Sequence, residues 1–120
     1  MASILIVDDD SSVLAVTEEL LKSQKYKTHK AVNVAHAMAL LEINWIDLIV
    51  LDLSMPRKNG TYLFSFLDEY FPSIKVIVYS GYDLHNHPER DLILQRSYAF
   101  VPKGENPKVL LKKIKKALKK

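Results

Sequence analysis

The sequence contains no cysteine, so disulfides and thiolate metal sites are excluded, and a reducing, intracellular setting is permitted. No segment approaches the roughly 20 consecutive apolar residues of a membrane-spanning helix. The first residues do not show the pattern of a signal peptide. We therefore expect a cytoplasmic protein without a membrane partner.

Acidic residues are absent from the last part of the chain. Residues 108–120 hold seven lysines, and subtracting these from the net charge of +3 leaves −4 on residues 1–107. The spacing predicts an amphipathic core helix with a solvated lysine face and these residues inward: Val109, Leu110, Ile114, Ala117 and Leu118. Binding of an acidic partner, nucleic acid or a membrane surface is the alternative interpretation; direct nucleic-acid binding is not expected.

Short apolar runs alternate with segments of helical period along the 120 residues. The runs predict strands over 3–7, 26–32, 47–52, 74–80 and 98–102. In the first predicted helix Val13, Val16 and Leu20 lie at helical spacing, with Leu14 and Leu21 beside them, and a last helix is predicted to begin at Asn106-Pro107. Five βα units predict an α/β fold, a parallel five-stranded sheet between two helical layers, as one domain over residues 1–120.

Polar residues follow the apolar runs at the point where each strand is predicted to end. Asp8 and Asp9 follow the first strand, Asp52 the third, Ser80 the fourth and Lys103 the fifth. Ligands of open parallel sheets bind beyond the carboxyl ends of the strands. Three carboxylates in one cleft need a cation, and oxygen-only ligation suits Mg²⁺. A lysine and a hydroxyl add the donors that a phosphoryl group needs.

The third aspartate of this group, Asp10, is predicted to be a helix cap rather than part of the site. Two histidines, His85 and His87, are two residues apart without a third ligand nearby, and we expect surface residues without a metal.

Four motifs in this order resemble the receiver domain of two-component response regulators over the whole chain: "IVDDD", "DLIVLDLSMPRKNG", "VIVYSG" and "FVPKG". The resemblance implies a (βα)5 flavodoxin-type fold with strand order 2-1-3-4-5. It also implies a phosphorylation-controlled signalling switch in a phosphorelay. Such a domain is not an enzyme beyond its own phosphorylation and dephosphorylation.

The resemblance assigns roles to the acidic residues. Asp52 matches the phosphoacceptor, which takes a phosphoryl group from a histidine kinase or phosphotransfer protein. Asp8, Asp9, Asp52 and the backbone carbonyl of Ser54 match the Mg²⁺ ligands.

The remaining matches concern the response to phosphorylation. Ser80 and Lys103 match the residues that bind the phosphoryl group, and Phe100 matches the switch aromatic. An output partner or homodimer is implied on the face formed by helix 4, strand 5 and helix 5. The sequence departs from the family at Gly104, where proline usually follows the lysine, and this leaves the loop conformation open.

Several alternatives stay open from the sequence. The chain could be a receiver fragment of a larger regulator or hybrid kinase, or a pseudo-receiver that binds partners without phosphorylation. A phosphatase of the aspartyl-phosphate class needs a second acid two residues after the nucleophile. Ser54 occupies that position, which disfavours this alternative. A flavodoxin needs a Gly/Ser/Thr phosphate loop after the first strand, where Asp8, Asp9 and Asp10 would repel a phosphate.

Overall fold

The computed structural model describes residues 1–53, 60–81 and 84–119. The strands in these ranges form one sheet: β1 (Ser3–Val7), β2 (Lys27–Ala31), β3 (Leu48–Leu51), β4 (Lys75–Ser80) and β5 (Ala99–Pro102). All neighbours are parallel, in the order β2-β1-β3-β4-β5. The predicted fold class and strand order are confirmed, and each predicted strand agrees within one residue at either end.

Helices connect the strands: α1 (Ser11–Ser23), α2 (Val34–Ile43), α3 (Gly60–Tyr70), α4 (Arg90–Arg96) and α5 (Pro107–Leu118). A single 3₁₀ turn, Leu84–Asn86, precedes α4. Side chains accept hydrogen bonds from free backbone N–H groups at three helix starts, as N-caps do: Asp10, Asn33 and Asn106. The predicted cap at Asp10 is therefore confirmed, as is the start of α5 at Asn106-Pro107.

Two apolar layers cover the sheet, because alternate strand residues point to opposite faces. One layer packs α2, α3 and α4 on residues such as Leu5, Ile49 and Val76. The other packs α1 and α5 on residues such as Ile4 and Val50. The inner strands β1 and β3 are buried at every residue, which explains their continuous apolar sequences, whereas the edge strand β2 is more polar and largely outside the core.

Packing decides which of the apolar residues of α1 face the core. Val16 is 68% exposed, whereas Leu14, Thr17 and Leu21 are buried. The sequence has apolar residues at both helical spacings, and packing selects the face that buries two leucines.

Among the helices of residues 1–53, 60–81 and 84–119, none has both the length and the hydropathy to cross a membrane.

Candidate functional site

The carboxyl edge of the sheet holds four of the predicted site residues. Asp8 follows β1, Asp52 follows β3, Ser80 ends β4, and Lys103 follows β5. The backbone N–H of Asp52 donates to the Val7 carbonyl at 2.9 Å, and that of Lys103 donates to the Ser80 carbonyl at 3.0 Å. The sheet ladder thus continues past the strand ends and fixes the backbone of the site.

The side chains of these residues meet directly. Lys103 Nζ lies 2.7 Å from Asp8 Oδ2 and 3.5 Å from Asp52 Oδ2. The Ser80 hydroxyl donates to Asp52 Oδ1 at 2.7 Å. Asp8 and Asp52 are each 2% exposed and Ser80 is 1% exposed, so these contacts are shielded from water. The two carboxylates therefore share one ammonium group in a buried cluster.

The acidic residues fit the requirements of a divalent cation. Carboxylate oxygens of Asp8, Asp9 and Asp52 all lie within 4.8 Å of one another. Asp9 is exposed and the other two are buried, so the group opens to solvent on one side. An all-oxygen group of carboxylates with a solvent side suits Mg²⁺, which keeps several of its waters. Ser54, predicted to add a backbone carbonyl, lies outside the described residues.

Burial and charge shift the pKa values of two of these groups. Burial raises the pKa of Asp8, the charge of Asp52 raises it further, and together they outweigh the hydrogen bonds from Lys103 and the Asp10 N–H. Burial by itself would lower the pKa of Lys103, but the hydrogen bond to Asp8 and the charges of Asp52 and Asp8 raise it overall. Lys103 is therefore firmly cationic, and the ionised form of Asp8 is disfavoured without a further cation.

Asp10 contributes to the site in a way that the sequence analysis missed. Its side chain is exposed and caps α1, but its backbone N–H donates to Asp8 Oδ1 at 2.9 Å. A carboxylate that accepts from the N–H two residues later forms an Asx turn, which is common for aspartate. This local preference is the signal that could have revealed the contact.

Phe100 lies on β5, where its Cα pairs with that of Val78. Its side chain is half-buried and packs against the layer that contains α2, α3 and α4. The structure thus places Phe100 three residues before Lys103 on the strand that leads to the site.

Gly104 determines the loop after Lys103. Its φ is +94°, in the left-handed region that glycine adopts most readily. The proline usual in the resembled family has φ fixed near −65°, so it could not take this conformation. The departure noted in the sequence therefore corresponds to a different local backbone, with Lys103 still in contact with Asp8.

One of the two histidines contradicts the expectation of surface residues. His85 is exposed, but His87 is buried and its Nδ1 accepts from the Glu89 N–H at 3.0 Å. The contact belongs to the turn before α4, which sequence spacing does not indicate.

Comparison with known proteins gives a consistent result. The family model described as "Response regulator receiver domain" matches residues 4–115. The sensor kinase CckA of Brucella abortus is 31% identical over 121 residues, which cover 99% of this chain but 13% of that protein. The CAI-1 autoinducer sensor kinase/phosphatase CqsS of Vibrio cholerae is 31% identical over 116 residues, covering 92% of this chain and 16% of that protein. The chain thus spans less than a fifth of the length of these two relatives.

Solved structures agree in fold. A CheY-like receiver domain protein from Methanospirillum hungatei is 30% identical with a TM-score of 0.87, covering 97% of this chain and 92% of that one. The response regulator TrrA from Thermotoga maritima, in complex with Mg²⁺-BeF, is 25% identical with a TM-score of 0.87 and covers 98% and 100%. With the family model matched over nearly all of its length and the strand order observed, this chain belongs to the response regulator receiver domain family of two-component signalling.

Proposed function

We propose that this domain is a signalling switch that accepts a phosphoryl group on Asp52. One observation carries the proposal: the buried Asp52 carboxylate accepts from Ser80 on one oxygen and faces Lys103 with the other, beside two further carboxylates. A nucleophile thus stands between a possible cation site and two donors suited to a phosphoryl group.

The chemistry follows from the atoms present. A carboxylate oxygen of Asp52 attacks the phosphorus of a phosphohistidine and forms a new P–O bond as the P–N bond breaks. The imidazole nitrogen leaves with the bonding electron pair, so a histidine kinase or phosphotransfer protein is the donor. Lys103 stabilises the charge on the transferred group, and the Ser80 hydroxyl donates to one of its oxygens.

Asp8, Asp9 and Asp52 are the residues that would hold Mg²⁺, with the backbone carbonyl of Ser54 as a further proposed ligand. When bound, Mg²⁺ offsets the repulsion among the carboxylates and with the incoming phosphoryl oxygens. The raised pKa of Asp8 is in keeping with this role, because burial and, less strongly, the charge of Asp52 disfavour its ionised form, which a bound cation would favour.

The response to phosphorylation arises because two hydrogen-bond donors, Ser80 and Lys103, exchange their present carboxylate acceptors for phosphoryl oxygens. Ser80 and Lys103 now bind the Asp52 carboxylate and Asp8, and a phosphoryl group offers them new oxygens. Their movement draws the loops after β4 and β5 toward Asp52, and we assign the adjacent Phe100 as the aromatic whose rotamer follows. Phosphorylation thereby shifts an existing equilibrium between two conformations.

The proposed output face is formed by α4, β5 and α5. Three large side chains on or beside α4 are exposed: Leu92, Leu94 and Tyr98. Leu94 and Tyr98 are four residues apart and could contribute apolar area to a contact on this face. We propose that a partner or a second copy binds this face and that residues 1–120 act as one receiver domain. We also propose that the domain works in the cytoplasm, where a histidine kinase or phosphotransfer protein supplies the phosphoryl group.

The test is a phosphorylation assay with Mg²⁺ and acetyl phosphate, followed by intact-mass measurement. The wild type is expected to gain one phosphoryl mass, with acetate as the leaving group. Asp52→Asn is expected to gain none, whereas Asp91→Asn, at an exposed aspartate of α4, is expected to behave as wild type. Absence of any gain in the wild type would contradict the proposal and favour a partner-binding module that works without phosphorylation. An equal gain in Asp52→Asn would show that another residue is the phosphoacceptor.

A further inference from the structure

The outer face of α5 carries an uninterrupted row of positive charge. Lys108, Lys112 and Lys115 follow one another in α5 at i, i+4 and i+7, a spacing that lines one side of a helix, and Lys119, the C-cap residue just after α5, continues the row at i+11. All four are exposed, and the buried residues Leu110, Ile114 and Ala117 lie on the opposite side. We refer to these four lysines as the lysine row; at 1.5 Å per residue it is roughly 16 Å long.

The lysine row is not neutralised by the rest of the described chain. Other lysines have acidic partners: Lys22 and Lys30 pair with Glu18, and Lys103 pairs with Asp8. Within residues 1–53, 60–81 and 84–119, no ion pair involves a lysine of the row. Because like charges one turn apart repel, the row destabilises the isolated helix and its charge is available to a partner.

The composition of α5 discriminates among negatively charged partners. The helix contains only Pro, Lys, Val, Leu, Ile and Ala, so lysine is its only side chain that could read a base, and it has no aromatic ring to stack on one. On the same side of the sheet, α1 carries the exposed Glu19, which would repel a phosphate backbone lying across both helices.

A membrane surface fits less well for a different reason. Helices that lie in the membrane interface insert exposed apolar side chains next to their basic face. The large apolar residues of α5 are instead buried or partly buried in the core: Val109, Leu110, Leu111, Ile114 and Leu118. Apart from Pro107, the exposed residues of α5 are its lysines.

We propose that the lysine row binds an acidic helix of a partner protein, one that presents Asp or Glu at i, i+4, i+7 and i+11 along one face. Two helices side by side can then align four pairs of opposite charge over the length of the row. This binding does not require phosphorylation of Asp52. Because Asn106, the cap of α5, follows Lys103 by only three residues, the proposed site and the row are close enough in sequence for one to affect the other.

The test uses two synthetic helical peptides of identical composition. One carries four glutamates on one face at i, i+4, i+7 and i+11; in the other the same residues are permuted so that the glutamates are distributed around the helix. Binding to the full chain is measured by fluorescence anisotropy at physiological salt. The one-face peptide is expected to bind about tenfold more tightly than the permuted peptide.

Charge-matched variants locate the contact. Lys112→Gln/Lys115→Gln/Lys119→Gln is expected to lose about tenfold in affinity for the one-face peptide. Lys25→Gln/Lys27→Gln/Lys113→Gln removes the same charge from exposed positions outside the row, and its affinity is expected to change far less. Circular dichroism checks that both variants keep the fold. If a triple variant does not fold, single substitutions at Lys112 and Lys115 replace it and are expected to give the same ranking of affinities.

Equal affinity for the two peptides, or an equal loss in the two triple variants, would overturn the proposal. Tighter binding of a duplex DNA oligonucleotide, or of vesicles containing phosphatidylserine, than of the one-face peptide would also overturn it. Asp52→Asn serves as a separate arm: it is expected to keep the affinity for the one-face peptide even though it cannot be phosphorylated at that position. A failure of the proposed phosphorylation and a failure of the lysine row are thus distinguishable.

Discussion

Lys103 Nζ lies 2.7 Å from Asp8 Oδ2, so the loop after the last strand is joined to the end of the first strand across 95 residues of sequence. The same ammonium group is 3.5 Å from Asp52 Oδ2. One cation therefore offsets two buried carboxylates, and the stability of the domain without Mg²⁺ depends on it.

Lys103→Met is expected to lower the free energy of unfolding by about 2 kcal/mol in Mg²⁺-free buffer, because both carboxylates lose their buried cation. Urea unfolding measures the change. Lys22→Met, which removes an exposed lysine paired with Glu18, is expected to cost under about 0.5 kcal/mol. In an Asp8→Asn background the cost of Lys103→Met is expected to shrink; additive effects of the two substitutions would contradict a direct interaction.

Mild acidification is expected to reduce the free-energy cost of burying the Asp8 carboxylate. Because the folded-state pKa of Asp8 is raised above its ordinary value of 3.8, the folded protein takes up a proton more readily than the unfolded chain. Stability relative to Asp8→Asn should therefore increase as the pH falls through the raised pKa toward 3.8. Thermal unfolding of both proteins over this range, without Mg²⁺, measures the difference; a constant gap between them would refute the prediction.

The contribution of Glu18 to stability is expected to change with pH in the opposite direction to that of Asp8. Its hydrogen bond to Lys30, assisted by Lys22 and Thr28, lowers its pKa below the ordinary 4.5. The stability it contributes is present above 4.5 and is lost as the pH falls through the lowered pKa. The advantage of wild type over Glu18→Gln should accordingly decrease on acidification, measured in the same thermal scans.

Gly104→Ala is expected to destabilise the domain by about 1 kcal/mol, because a Cβ is strained at a φ of +94°. Apart from its two chain neighbours, no atom of the described residues lies within 4 Å of the position that the Cβ would take, so the cost is one of backbone conformation alone. Gly81→Ala is the matched control, since its Cβ would also meet open space and its φ lies outside the left-handed region. Equal stability of the two variants in urea would show that the φ of Gly104 is not restrictive.

Lys25→Gly is expected to stabilise the domain by about 0.5–1 kcal/mol. Lys25 has a φ of +70° just after α1, where the N–H of Tyr26 bonds to the Leu21 carbonyl and that of Lys25 to the Lys22 carbonyl. This is the Schellman arrangement, which favours glycine at the left-handed position. Lys25→Ala separates the loss of charge from the backbone effect and is expected to change stability little; a gain equal to that of glycine would contradict the explanation.

The fold and most of the cluster could be predicted from the sequence because both depend on the positions at which strands end. Apolar runs mark those positions, and parallel pairing then brings Asp8, Asp52, Ser80 and Lys103 to one edge. The family resemblance supplied the strand order, which alternation alone leaves open.

The features that escaped prediction depend on three-dimensional packing. The face of α1 was ambiguous because Val16 and Leu14 lie on alternative apolar stripes, and only the core selects between them. The burial of His87 and the φ of Gly104 arise from loop conformations that no periodic pattern encodes.

The backbone bond between Lys103 and Ser80 has a mechanical consequence. The two residues proposed to respond to a phosphoryl group are joined by an N–H···O contact of 3.0 Å, whereas Asp8 and Asp52 are bonded to Ala31 and Val7 on the other strands. The backbone of the acidic residues is thus bonded to β1 and β2, whereas the backbones of the two donors are bonded to each other. We therefore expect a backbone displacement at Ser80 or Lys103 to be shared by the other donor.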